Sequence, residues 1–143
     1  MRPPRGLRTL TVGVLTSDED FARAVMEVCL ERGHDVLRLE SLSTVSAALS
    51  GSRSSVLLLD SVTRQSEGLR VAATVSAVHP DLPIVVATPG PRARSKAGVR
   101  LIDRRERVET IVDEVELAYI GIPAFVEEPL RRVGSIGLAG TRL

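Results

Sequence analysis

A chain of 143 residues, 43% apolar and 26% charged, is long enough for one packed domain and ordinary in composition for a globular protein. A formal net charge of +1 gives no global field for nucleic acid or an anionic membrane, and one Tyr, two Phe and no Trp leave little on which bases could stack. The single cysteine, Cys29, excludes an internal disulfide and a four-cysteine zinc site, and a reducing cytoplasm is the simplest expectation.

Residues 1–8 are basic and carry Pro3 and Pro4, with no signal-type apolar stretch behind them, so they read as a short disordered lead. No run approaches the roughly 18 apolar residues of a membrane span. Residues 10–15, Leu-Thr-Val-Gly-Val-Leu, predict a first strand. Ser17 or Asp18 then caps a helix whose first turn places Asp18, Glu19 and Asp20 at the positive end of the helix dipole. Phe21, Ala24, Val25, Val28 and Cys29 recur at helical spacing and predict a buried stripe, with Cys29 in the core. Gly33 ends this helix, and the alternation over 34–40 predicts a second strand.

Ser43 or Thr44 begins a weak helix through Val45, Ala48 and Leu49, and Gly51 and Ser52 break it. Val56, Leu57, Leu58 and Leu59 are four consecutive apolar residues, the pattern of a strand buried on both faces of a parallel sheet. That strand ends in Asp60. A polar loop over 61–67 leads to a third helix over 68–78, with Leu69, Ala72, Val75 and Val78 on one stripe. Pro80 stops it. Residues 82–88 predict a fourth strand ending at Thr88. Pro89, Gly90 and Pro91 oppose any continuation, and no apolar stripe follows up to Ala97, so no full helix is expected there. Residues 99–102 predict a short fifth strand. Asp103 can cap a last helix carrying Val108, Ile111, Val112, Val115 and Ala118, which Gly121 and Pro123 end.

Strands alternating with helices imply a parallel sheet covered on both faces. The expected architecture is a single α/β domain over 9–121: a flavodoxin-like, doubly wound five-stranded sheet in the order 2-1-3-4-5, with a shortened or missing fourth helix. Residues 122–143 are a tail or a docking segment. In such a sheet the carboxyl ends of the strands line the ligand crevice, which brings Thr16, Ser17, Asp60 and Thr88 to one edge. His34 and His79 flank turns without metal-binding spacing and are expected to be exposed. Arg92, Arg94, Lys96 and Arg100 read as a solvated basic loop. No Gly-x-Gly-x-x-Gly follows the first strand, and no Gly-x-Ser-x-Gly elbow occurs.

From Leu10 to Tyr119 this layout resembles the receiver domain of bacterial response regulators. The resemblance implies that Asp60 stands at the phospho-acceptor position and Thr88 at the switch Ser/Thr position. It also exposes departures. The acidic pair that holds Mg²⁺ in that family falls on Thr16 and Ser17, neither of which carries formal charge. Asp18, one residue on, is the weak remaining candidate ligand, and its natural place is the helix start. The family's Lys after the fifth strand is missing, with Asp103 and Arg104 in its neighbourhood, and Lys96 is the only Lys in the chain. Leu101 or Arg100 replaces the switch aromatic. Together these imply a pseudo-receiver: a non-catalytic, cytoplasmic signalling module without metal or cofactor, acting through protein–protein contact and not through aspartyl phosphorylation. The expected partner surface is the loop from Pro89 to Ala97, the fifth strand and the last helix. Leu117, Tyr119, Ile120, Ile122, Phe125 and Val126 are more apolar than a free tail needs, and would cover the domain itself or a second copy in a homodimer. Two further readings stay open. One is an active receiver phosphorylated on Asp60 with atypical Mg²⁺ ligands. The other is a small-molecule-binding α/β domain using the crevice between Thr16, Asp60 and Thr88.

Overall fold

The computed structural model describes residues 9–41, 55–61, 65–96 and 98–121. In chain order the elements are β1 (Thr11–Leu15), α1 (Glu19–Glu31), β2 (Asp35–Leu39), β3 (Val56–Asp60), α2 (Gln65–Val78), β4 (Ile84–Thr88), β5 (Ser95–Lys96), β6 (Val99–Asp103) and α3 (Val108–Ile120). The strands form one sheet in the order β2-β1-β3-β4-β6-β5. The first five of that order run parallel, as the sequence predicts, with Asp60 opposite Ala87 and Thr88 opposite Asp103. β5 is an addition: a two-residue antiparallel strand paired to β6 at the sheet edge. Gly98, at φ 78°, permits the reversal between them. Residues 89–96 carry no helix.

Strand alternation divides the core into two layers. Val12, Val14, Val56, Leu58, Val85 and Ala87 face α1 and α3, where Phe21, Val25, Cys29, Ile111 and Val115 meet them. Leu57, Leu59, Ile84, Val86 and Leu101 face the other way, against Ala72 and Val75 of α2. Burial on both faces is why β3 and β4 read as unbroken apolar runs. Cys29 is buried as expected, and burial pushes its thiol up to about 12.

Several local expectations are corrected. α2 begins at Gln65, a turn before Gly68. Gly68 lies inside the helix, at a point where a Cβ would sit 2.7 Å from Val86 Cγ1 and 2.8 Å from Ser61 Cβ. It is a close-approach glycine and not a boundary. Val78, counted into the helix stripe, is exposed at its end. Asp103 does not cap the last helix. Arg104 N–H continues the ladder to the Thr88 carbonyl (3.1 Å), so the chain must turn first, and Asp103 accepts the Arg105 N–H at 2.9 Å to close that turn. α3 then starts behind Arg107, without a side-chain cap.

His34 is not exposed but wholly buried. Its Nδ1 accepts the Leu10 N–H at 3.1 Å, which places the imidazole proton on Nε2, 2.8 Å from Glu116 Oε2. Arg32 completes this network through Glu116 and Asp113, at 3.0 and 2.8 Å. Arg100 is likewise no solvated loop residue. It lies in β6 between two strands, buried, with Glu114 at 2.7 Å. The lead at 1–8, the helix begun by Ser43 or Thr44, and residues 122–143 (with Ile122, Phe125 and Val126) lie outside the described residues. No helix among the described residues is long and apolar enough to cross a membrane.

Candidate functional site

β1, β3, β4 and β6 end on the same side of the sheet, and the residues directly after β1 and β6 close on the Asp60 carboxylate. Thr16, directly after β1, donates its hydroxyl to Asp60 Oδ2 at 2.5 Å. The same Oγ1 accepts the Asp18 N–H at 3.0 Å. Arg104, directly after β6, donates from Nε to Asp60 Oδ1 at 2.5 Å and from Nη2 to Oδ2 at 3.2 Å. Nη2 also reaches Asp18 Oδ2 at 2.6 Å. The guanidinium carbon lies 4.7 Å from the centroid of the Phe21 ring, a cation–π distance.

Asp18 is the N-cap of α1, its Oδ1 accepting the N–H groups of Asp20 and Phe21 at 3.0 and 3.1 Å. One carboxylate thus caps the helix and binds Arg104. The Phe21 N–H first, and Arg104 after it, hold its carboxyl below the ordinary range. The hydrogen bond to Asp60 leads the interactions that raise the Arg104 pKa and keep it charged. The Asp60 side chain is 2% exposed, Arg104 21% and Asp18 41%, so this is a buried pair with one wet end.

Thr88 is wholly buried, and its Oγ1 has no hydrogen-bond partner among the described residues. Ser17 is exposed. A crevice of about 490 Å³ opens beside the site, lined by Thr16, Ser17, Glu40, Asp60, Glu67 and Gly68 among others. It runs towards β2 and α2, and Thr88 does not line it, unlike the crevice expected between Thr16, Asp60 and Thr88.

A receiver fold implies Mg²⁺ beside the strand-end aspartate, and the residues here do not suit it. A small hard dication needs free carboxylate oxygens in an octahedral shell. Both Asp60 oxygens are engaged by Arg104 and Thr16, Asp18 divides its oxygens between the helix cap and Arg104, and Ser17 offers only an exposed hydroxyl. A guanidinium charge sits on the two carboxylates that remain. Among the described residues no group of three or more His, Cys, Asp or Glu could hold a metal ion. Arg104 is the residue that sequence reasoning undervalued. The resemblance points to a lysine at this place, and the β4–β6 register, Thr88 beside Asp103, brings Arg104 next to Asp60 instead.

The same architecture recurs in solved receiver domains. The receiver domain of Nitrogen Regulatory Protein C in its apo form is 21% identical, with a TM-score of 0.66 over 79% of this chain and 96% of that one. A chemotaxis response regulator of Vibrio cholerae is 13% identical, with a TM-score of 0.62 over 78% of this chain and 99% of that one. An atypical orphan response regulator, described as revealing a phosphorylation-independent regulatory mechanism, is 11% identical, with a TM-score of 0.63 over 78% and 97%. No protein-family model and no curated protein sequence matches the chain. The fold is the flavodoxin-like fold of response-regulator receiver domains.

Proposed function

We propose that this chain is a pseudo-receiver, a non-enzymatic cytoplasmic signalling module that acts by protein–protein contact without phosphorylation of Asp60. The observation that carries the reading is the engagement of both Asp60 oxygens, by Arg104 and by Thr16, in a side chain 2% exposed. A phosphoryl donor brings negative charge to a carboxylate that must attack with a free oxygen. Catalysis of that step is positioning plus charge neutralisation at the transferring group. Arg104 instead neutralises the nucleophile itself. Attack would have to strip away charge-assisted bonds, and each missing electrostatic partner at the transferring group costs roughly 3 kcal/mol. The proposed partner surface is the 89–97 loop with β6 and α3, near whose end Tyr119 and Ile120 stand exposed. A phosphorylatable receiver is the second reading, favoured by the Thr88 hydroxyl, which has no hydrogen-bond partner among the described residues.

The test is incubation of the full chain with acetyl phosphate, or with beryllofluoride, in Mg²⁺, read by intact mass and by NMR. The expected result is no adduct on Asp60 and no shifts at Thr88. A stoichiometric adduct, with shifts spreading from Thr88 into α3, selects the phosphorylatable reading.

A further inference from the structure

We propose that Arg104 is a tethered counter-ion: its guanidinium stands where a divalent cation would bind, and its charge keeps the Asp18–Asp60 pair from taking one. The inference rests on the same site as the pseudo-receiver reading and supplies its cause. Nη2 of Arg104 lies 2.6 Å from Asp18 Oδ2 and 3.2 Å from Asp60 Oδ2. Two carboxylates from different elements therefore converge on one point, and that point holds a positive charge. An acid pair alone would not define such a point. The cation already seated on both does.

Arg104 is held there at both ends. Its backbone N–H is bound to the Thr88 carbonyl at 3.1 Å, its Nε to Asp60 Oδ1, and its guanidinium carbon lies over the Phe21 ring. The contacts tie β3, β4 and α1 to the start of the β6–α3 turn. A planar fork can bind two carboxylates at once, which a lysine ammonium does less specifically. Without the guanidinium, Asp18 and Asp60 would face each other uncompensated, one of them almost fully buried. Like charges so placed repel, and a small cation relieves the repulsion. Two carboxylates, the Thr16 hydroxyl and water are an oxygen set a hard dication accepts. With Arg104 present, the same oxygens are used and a second cation is repelled.

The experiment compares the full-length wild type with Arg104→Gln and with the double variant Asp18→Asn, Arg104→Gln. Free Mn²⁺ is titrated by electron paramagnetic resonance, and melting is followed with Mg²⁺ at constant ionic strength. Asn still caps α1, so the double variant removes charge and leaves the helix start intact. We expect the wild type to melt independently of Mg²⁺. Arg104→Gln should bind Mn²⁺ at least about tenfold more tightly than wild type and melt higher as Mg²⁺ is added, as linkage requires. The double variant should lose both effects. Equal Mn²⁺ binding by wild type and Arg104→Gln overturns the proposal, as does a folded Arg104→Gln with no metal response. Should Arg104→Gln not fold even in Mg²⁺, Arg104→Lys takes its place. It keeps a charge but loses the fork, and it must bind Mn²⁺ more tightly than wild type or the proposal falls. Failure here with an unmodified wild-type Asp60 leaves the pseudo-receiver reading standing. An Asp60 adduct on the wild type removes that reading whatever the metal titration gives.

Discussion

Asp18 divides one carboxylate between a helix cap and an ion pair, and both favour its charged form. Its folded pKa therefore lies below the ordinary 3.8. In the window between the two values the unfolded chain binds more protons than the folded one. Asp18 thus contributes stability that is present above about pH 4 and lost as pH falls through the folded pKa. We expect the urea midpoint of the wild type to drop more steeply as pH falls below about 4 than that of Asp18→Asn, which caps but does not titrate. Identical pH profiles would show that the carboxylate contributes nothing through its charge. His34 teaches the opposite lesson about legibility at this scale. After Gly33 it reads as a turn residue, and nothing local marks it as buried. Its partners are the Leu10 N–H, 24 residues back, and Glu116, 82 residues on. Glu116 in turn reads as an ordinary polar position on a helix.

At the scale of the element, patterns were legible and boundaries were not. Most of the stripe of α1 and its end before Gly33 follow from local chemistry, with Ala22 buried where Ala24 was expected, and of the two candidate caps the structure selects Asp18. The start of α2 does not. Gly68 looks like a breaker until Val86 and Ser61 are seen against its Cα, so a boundary signal and a packing signal share one residue type. Gly68→Ala should destabilise the protein by about 1–3 kcal/mol, the range for overpacking a close contact, despite alanine's better helix propensity. Chemical denaturation measures this directly. A gain in stability would mean that α2 can lift from the sheet without loss. Asp103 is a comparable case. A strand-end acid before a helix reads as a cap, but the β4–β6 ladder carries Arg104 extended and moves the helix start to Val108. The short β5 depends on pairing with β6, and two residues hold no periodic signal.

Across the whole molecule, stability should be graded from the sheet centre outwards. β1, β3 and β4 have paired neighbours on both edges, and Val12, Val14, the 56–59 run and the 84–87 run are buried. β2 and β5 lie at the edges. Native-state hydrogen exchange should find the slowest amides in β3 and β4, and the fastest strand amides in β5. α1 or α3 outlasting β3 would place the last-opening unit in the helical layer instead.

Local patterning sufficed for the five parallel strands and for bringing Thr16, Asp60 and Thr88 to the carboxyl ends of those strands, though not for the short β5. These follow from periodicity, capping and the rules that connect strands, all of which act over a few residues or through general topology. The sequence also placed the absence of an acidic pair at Thr16 and Ser17 in plain view. What Asp60 faces depends on long-range contacts. Arg104 lies 44 residues from Asp60 and 86 from Asp18, and no local pattern relates them. Strand register brings Arg104 beside Thr88, the helix cap turns the other oxygen of Asp18 towards it, and Phe21 supplies the ring it lies on. The charge balance of the site is a sum over residues that meet only when the sheet has formed.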